Sequence, residues 1–183
     1  MSVPTLGRWL DILEATAQVL IVPPFYENLG KRLTKSPKVY IADSGLACHL
    51  LGIESEAELA KSPFLGALFE GFLAGEIVKA QVNAGRRREL YFFRDQQGLE
   101  VDFVVPIRGG GVRLVEAKAS SSVSPEQARP MQSLARAWGR RRGKVEMLLV
   151  HRPVPTSASS RALAPGVQAL GWREFVAGLD RLA

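Results

Sequence analysis

The stretch from Leu90 to Lys118 most constrains what this chain can become. It reads as three short strands, Leu90 to Asp95, Leu99 to Pro106 and Val112 to Lys118, joined by tight turns. Side chains in a strand alternate faces, so Glu116 and Lys118 project to one side and Ala117 to the other. If the Gly109-Gly110-Gly111 turn pairs the last two strands antiparallel, Asp102 arrives beside Glu116. Two carboxylates with a neighbouring ammonium suit a hard cation such as Mg²⁺ and outline a phosphodiester-cleaving constellation.

The remainder of the 183 residues allows a larger core plus a small accessory unit. No apolar run reaches the roughly 20 residues that a bilayer crossing needs, and the N-terminus lacks a secretory pattern, so a cytoplasmic protein with no membrane partner is expected. Cys48 is the single cysteine, which excludes an internal disulfide framework, and with only His49 and His151 beside it structural zinc is not expected. A net charge of +6 favours polyanionic partners. The charge is concentrated in Arg86-Arg87-Arg88 and in Arg140-Arg141-Arg142 with Lys144, and more loosely in Lys31, Arg32, Lys35 and Lys38. For each block alone, phosphate binding and a solvated helix end weigh equally.

Taken in order, Leu6, Trp9, Leu10, Leu13, Ala17 and Leu20 predict one helix of about four turns after Thr5, running into Val19-Leu20-Ile21-Val22 and halted by Pro23-Pro24. Phe25-Tyr26 reads as extended, Glu27 to Pro37 as a basic loop, and Lys38 to Ala42 as a second strand. This is the tail of a winged-helix unit, whose further helices would have to lie upstream. Asp43-Ser44-Gly45 caps a short helix from Leu46 to Leu51, ended by Gly52, and Ser44 is read as part of that cap and not as a nucleophile. Glu54 to Pro63 is loop-like. From Gly66 to about Val82 a helix is expected, with Ala67, Gly71 and Ala74 as a small-residue stripe for close approach to a sheet. Glu70 stands at the edge of that stripe, where the residues alone favour a solvent-facing side chain over one turned to the acidic pair. Ser124 and Pro125 open a further helix that buries Ala128, Met131, Leu134, Ala135 and Trp138. Val145 to Val150 suits a buried strand, Pro153 to Pro165 a loop, Val167 to Leu170 an edge strand, and Trp172 to Leu182 a last helix.

From Gly66 the order is helix, three strands, helix, strand. With Glu-x-Lys on the third strand, this resembles the PD-(D/E)xK, or restriction-endonuclease-like, superfamily. More narrowly, the chain is similar to the domain of unknown function that follows the AAA-type ATPase module in many bacterial and archaeal ATPases. The likeness rests on Lys35 to Leu46, on Phe69-Glu70-Gly71-Phe72, on Phe93-Arg94-Asp95, on Glu100-Val101-Asp102-Phe103 and on Val115-Glu116-Ala117-Lys118. It implies an α/β fold with a restriction-endonuclease-like αβββαβ core over residues 66–183, a partial winged-helix unit over 1–53 and a linker over 54–65. It further implies that Asp102 and Glu116 bind Mg²⁺ or Mn²⁺, and that Lys118 acts on the attacking water or on the developing charge. Glu70 matches the helix-borne acid that completes such sites. Val101 stands where the superfamily's name has proline. No Gly-x-x-x-x-Gly-Lys-Ser/Thr occurs, so an ATPase module, if it accompanies this domain, is expected in the missing part of a longer protein or in a partner.

Two functions follow. One is a metal-dependent nuclease whose arginine blocks, with Arg94, track phosphates, DNA being the favoured substrate. The other is a non-catalytic module that binds DNA or protein and couples that binding to an ATPase.

Overall fold

The computed structural model describes residues 3–25, 36–107, 109–139, 143–153 and 160–182. In chain order these form Val3–Ala15 (α1), Val19–Val22 (β1), Lys38–Ile41 (β2), Ser44–Leu50 (α2), Glu56–Lys61 (α3), Leu65–Asn83 (α4), Tyr91–Arg94 (β3), Glu100–Pro106 (β4) and Gly111–Lys118 (β5). A 3-10 turn, Pro125–Ala128, then leads into Arg129–Trp138 (α5), followed by Lys144–His151 (β6), Ser160–Ala164 (β7), Val167–Gly171 (β8) and Trp172–Leu182 (α6).

The first helix is shorter than its apolar spacing predicts. Ala17 adopts φ 55°, and the Gln18 N–H reaches back to the Leu13 carbonyl at 2.8 Å, closing the helix end in a Schellman-like turn. Val19 to Val22, rich in β-branched residues, is thereby released to pair antiparallel with β2, Val19 opposite Ile41 and Val22 opposite Lys38. The expected linker also contains a helix, α3. Ser55 accepts from the Glu58 N–H at 3.3 Å while the Glu58 carboxylate accepts from the Glu54 N–H at 2.8 Å, a capping arrangement that stabilises a single short helix.

The main sheet has the order β3-β4-β5-β6-β8-β7. Its first three strands form an antiparallel meander, β5 to β6 and β6 to β8 are parallel, and β7 runs antiparallel to β8. The molecule is thus mixed α/β. One face carries Phe69, Leu73 and Ile77 of α4 with Phe175 and Leu179 of α6 over Phe103, Val105, Val115 and Val150. The other carries Met131, Leu134 and Trp138 of α5 over Val101, Val104, Leu114 and Leu149. Burial on both faces explains why β4, β5 and β6 read as nearly unbroken apolar runs. β8 is an inner strand and not the expected edge. Part of the expected loop, Ser160 to Ala164, folds back as β7 and covers the open side of β8, whose Val167, Ala169 and Leu170 are buried.

Candidate functional site

β2 alternates as its period of two demands. Val39 and Ile41 face outward, 44% and 40% exposed, and Lys38 and Tyr40 turn inward. Gly71 of α4 allows this approach, since a Cβ there would lie 3.3 Å from the Tyr40 ring. The Lys38 ammonium then meets three acids: Glu70 Oε1 at 2.6 Å, Glu100 Oε1 at 2.8 Å and Asp102 Oδ1 at 3.2 Å. The Tyr40 hydroxyl donates to the same Glu70 oxygen. Glu70 is therefore turned inward, against the solvent-facing position favoured by sequence. A helix position next to a small residue cannot by itself say what comes to lie against it.

Asp102 reaches this cluster through an irregularity in β4. Tyr91 pairs with Val104 but Phe93 with Val101, so β4 carries one extra residue between the two pairs. Val101 and Val104 both join the α5 cluster, and Phe103 joins the α4 cluster. The β4–β5 ladder is registered from Pro106–Val112 to Phe103–Val115. The register ends there, and beyond it Asp102 Oδ2 accepts from the Ala117 N–H at 3.0 Å. β5 meanwhile continues its parallel pairing with β6 as far as Lys118–His151. The Asp102 side chain stands where the two strands part.

Glu116 is 6% exposed. Its Oε1 accepts from Lys118 Nζ at 2.7 Å, and its Oε2 is sealed from solvent with no hydrogen-bond partner. Burial, and next the Asp102 charge, push its carboxyl up to about 7, although Lys118 pulls the other way. Burial opposes the charge on Lys38, but Asp102, Glu70 and Glu100 outweigh it and hold the ammonium above its ordinary pKa. Lys118 is likewise raised, burial being overcome by Glu116, Asp102 and Glu70. Burial and Glu70 hold the Tyr40 phenol protonated far above its usual range. Glu100 is lowered, because Lys38 and Arg94 outweigh its burial. Four carboxyl groups thus share three basic partners, Lys38, Arg94 and Lys118, at one sheet rim, and one of their oxygens, Glu116 Oε2, is buried without a partner.

The sequence-predicted residues Asp102, Glu116, Lys118 and Glu70 come together here. Lys38, expected in or beside a basic wing, joins them, and Tyr40 and Glu100 complete the cluster without having been singled out. The one legible signal was the two-residue spacing of Lys38 and Tyr40, which puts both on one face of a strand. Arg94 is spent on Glu100, its Nε and Nη2 lying 2.8 and 2.6 Å from Oε2. Arg88 pairs with Glu14 at 2.9 Å and donates to the Ile21 carbonyl, tying α1 and β1 to the main sheet. Arg86 is half-buried and Arg87 exposed. Lys31, Arg32, Lys35, Arg140, Arg141 and Arg142 lie outside the described residues.

Fold and site define the class: a mixed α/β domain with a carboxylate–lysine cluster at the rim where β4 and β5 part. The chain belongs to the family described as Domain of unknown function (DUF4143), whose model matches residues 65–164. A second family model, Domain of unknown function (DUF8612), matches residues 1–57. Among curated relatives, the uncharacterized proteins Mb2031c of Mycobacterium bovis and Rv2008c of Mycobacterium tuberculosis are each 38% identical over 105 residues. That match covers 57% of this chain and 23% of either relative, so the chain matches about a quarter of their length. No solved structure matches it.

Proposed function

We propose that this chain is a nuclease-like, nucleic-acid-processing domain of the PD-(D/E)xK type, normally the C-terminal part of an AAA-type ATPase, with divalent-metal-dependent phosphodiester hydrolysis as its chemistry. The observation that carries the reading is that Asp102 of β4 accepts from the backbone N–H of Ala117, the residue between Glu116 and Lys118 of β5, while Lys118 donates to Glu116 at 2.7 Å. The order α4-β3-β4-β5-α5-β6 supports an αβββαβ core. In this reading residues 1–53 are a partial winged-helix unit, joined through 54–65 to a nuclease-like domain over 66–183.

The donors fit Mg²⁺ or Mn²⁺ by chemistry. They are all oxygens, and Glu116 Oε2 is buried without a partner, which is costly for a carboxylate unless a cation answers it. Asp102 and Glu116 would hold the ion, and when bound it supplies a nucleophilic water near neutral pH and counter-charge for the phosphoryl oxygens. Lys118, fixed by Glu116 at 2.7 Å, keeps a positive charge beside the reacting phosphate. Glu70, held by Tyr40, adds the helix-borne acid.

One observation favours the second reading, a non-catalytic DNA- or protein-binding module. Lys38 already pairs with three of the acids, and among the described residues no three histidine, cysteine or acidic side chains are grouped so as to hold a metal ion. Incubation with supercoiled DNA, single-stranded DNA and RNA in millimolar Mg²⁺ or Mn²⁺ tests the choice. Cleavage should appear and be lost in Asp102→Ala and Lys118→Ala while far-UV circular dichroism is unchanged. Cleavage undiminished in both variants removes the nuclease reading. No cleavage of any substrate, with salt-sensitive DNA binding retained, moves the domain to the second.

A further inference from the structure

Resting on that reading, we infer that Lys38 is a built-in competitor of the divalent ion: its ammonium fills the space between Glu70, Glu100 and Asp102, and a metal gains these acids only when Lys38 withdraws. Three oxygens from α4 and β4 lie 2.6 to 3.2 Å from one nitrogen. A magnesium ion at its usual ~2.1 Å from the same oxygens would require that nitrogen to leave. The side chain is only 16% exposed and stacks over the Phe92 ring at 5.5 Å, so it is a built part of the cluster and not a surface lysine that happens to lean in. Tyr40, two residues on, holds Glu70 from the same strand.

The two partners come from different stretches of the chain. Lys38 lies in the segment matched over 1–57, and Glu70, Glu100, Asp102 and Glu116 in the one matched over 65–164. Whatever draws the β1–β2 pair away from α4 therefore uncovers the acids, and a bound metal in turn loosens the pair. This coupling is reciprocal. Without Lys38 the acids keep only Arg94 on Glu100, the Tyr40 hydroxyl on Glu70 and the Ala117 N–H on Asp102, so the variant should be less stable alone yet gain more from metal.

The test is calorimetric titration of Mn²⁺ into the full chain and into Lys38→Met, Lys38→Arg, Asp102→Asn and Lys38→Met with Asp102→Asn, alongside thermal denaturation with and without Mn²⁺. Lys38→Met should bind about tenfold tighter or more, Lys38→Arg should stay as weak as the parent, and the double variant should lose the gain. If parent and Lys38→Met bind equally, and Asp102→Asn abolishes both, the competitor role is overturned and the metal reading stands. If no protein binds although all remain folded, both fall. Should Lys38→Met fail to fold alone, refolding with Mn²⁺ decides: rescue supports the inference and no rescue overturns it.

Discussion

Glu116 ionises between an opposite charge and a like one, with half of its carboxyl cut off from water. Its ordinary value is 4.5 and in the fold it stands at about 7, so between these pH values the folded protein retains a proton that the unfolded chain has released. The stabilising contribution is complete below the lower value and is lost as pH rises through the higher. Replacing Glu116 with Gln removes this dependence. The stability of Glu116→Gln relative to the parent should therefore grow from pH 5 to pH 8 by on the order of 2 kcal/mol, read from denaturant unfolding at each pH. A difference flat with pH would mean that Glu116 is ionised throughout. The acid–base pair itself was legible from strand alternation in Glu116-Ala117-Lys118. The third partner was not, because Lys38 lies 64 residues before Asp102 and only tertiary packing makes them neighbours.

Among the elements, the β4–β5 turn shows how backbone geometry holds the site. Gly111 has φ 107°, and a Cβ there would come 2.1 Å from the Lys144 carbonyl oxygen at the start of β6. Gly111→Ala should cost roughly 3 kcal/mol or more, the sum of a left-handed strain and a backbone clash. Gly98→Ala, at φ 85° with open space around it, should cost only roughly 1–2 kcal/mol. Equal losses in urea unfolding would show that β5 and β6 do not pack this closely. The meander and the helices on either side were readable, since β4 and β5 carry short apolar runs broken by only a few charged residues, α4 is largely apolar and α5 presents one apolar face. Three features were not. The end of α1 depends on a non-glycine residue, Ala17, taking a left-handed conformation, which no propensity announces. β7 forms because the edge of β8 needs cover, a demand set by the sheet and not by Ser160 to Ala164 themselves. The extra residue in β4 that accompanies Asp102's turn toward Lys38 comes from its pairing with β3, so alternation along β4 alone misplaces Asp102.

At the scale of the whole molecule, a formal charge of +6 overstates what is offered to a polyanion. Lys38, Arg88 and Arg94 are paired internally, and Arg113 is held by Glu146 at 2.7 Å. Arg87 is exposed, and this separates two roles within one block. Arg88→Ala should lower thermal stability by loosening α1 and β1. Arg87→Ala should leave stability unchanged and reduce the slope of log affinity against log salt for DNA by about 0.9, the loss of one phosphate contact. Affinity indifferent to salt in the parent would exclude nucleic acid as the partner. The front unit also shows Leu6, Trp9 and Ile12 at 47% to 58% exposure, unlike the well-covered main sheet.

Lys38, from the stretch matched over 1–57, supplies a charge on which the acids of the stretch matched over 65–164 depend. A hybrid that joined residues 65 onward to a foreign front hairpin lacking a cation at that place would inherit a knot of mutual repulsion. Such a graft must bring its own positive charge or recruit one from the medium.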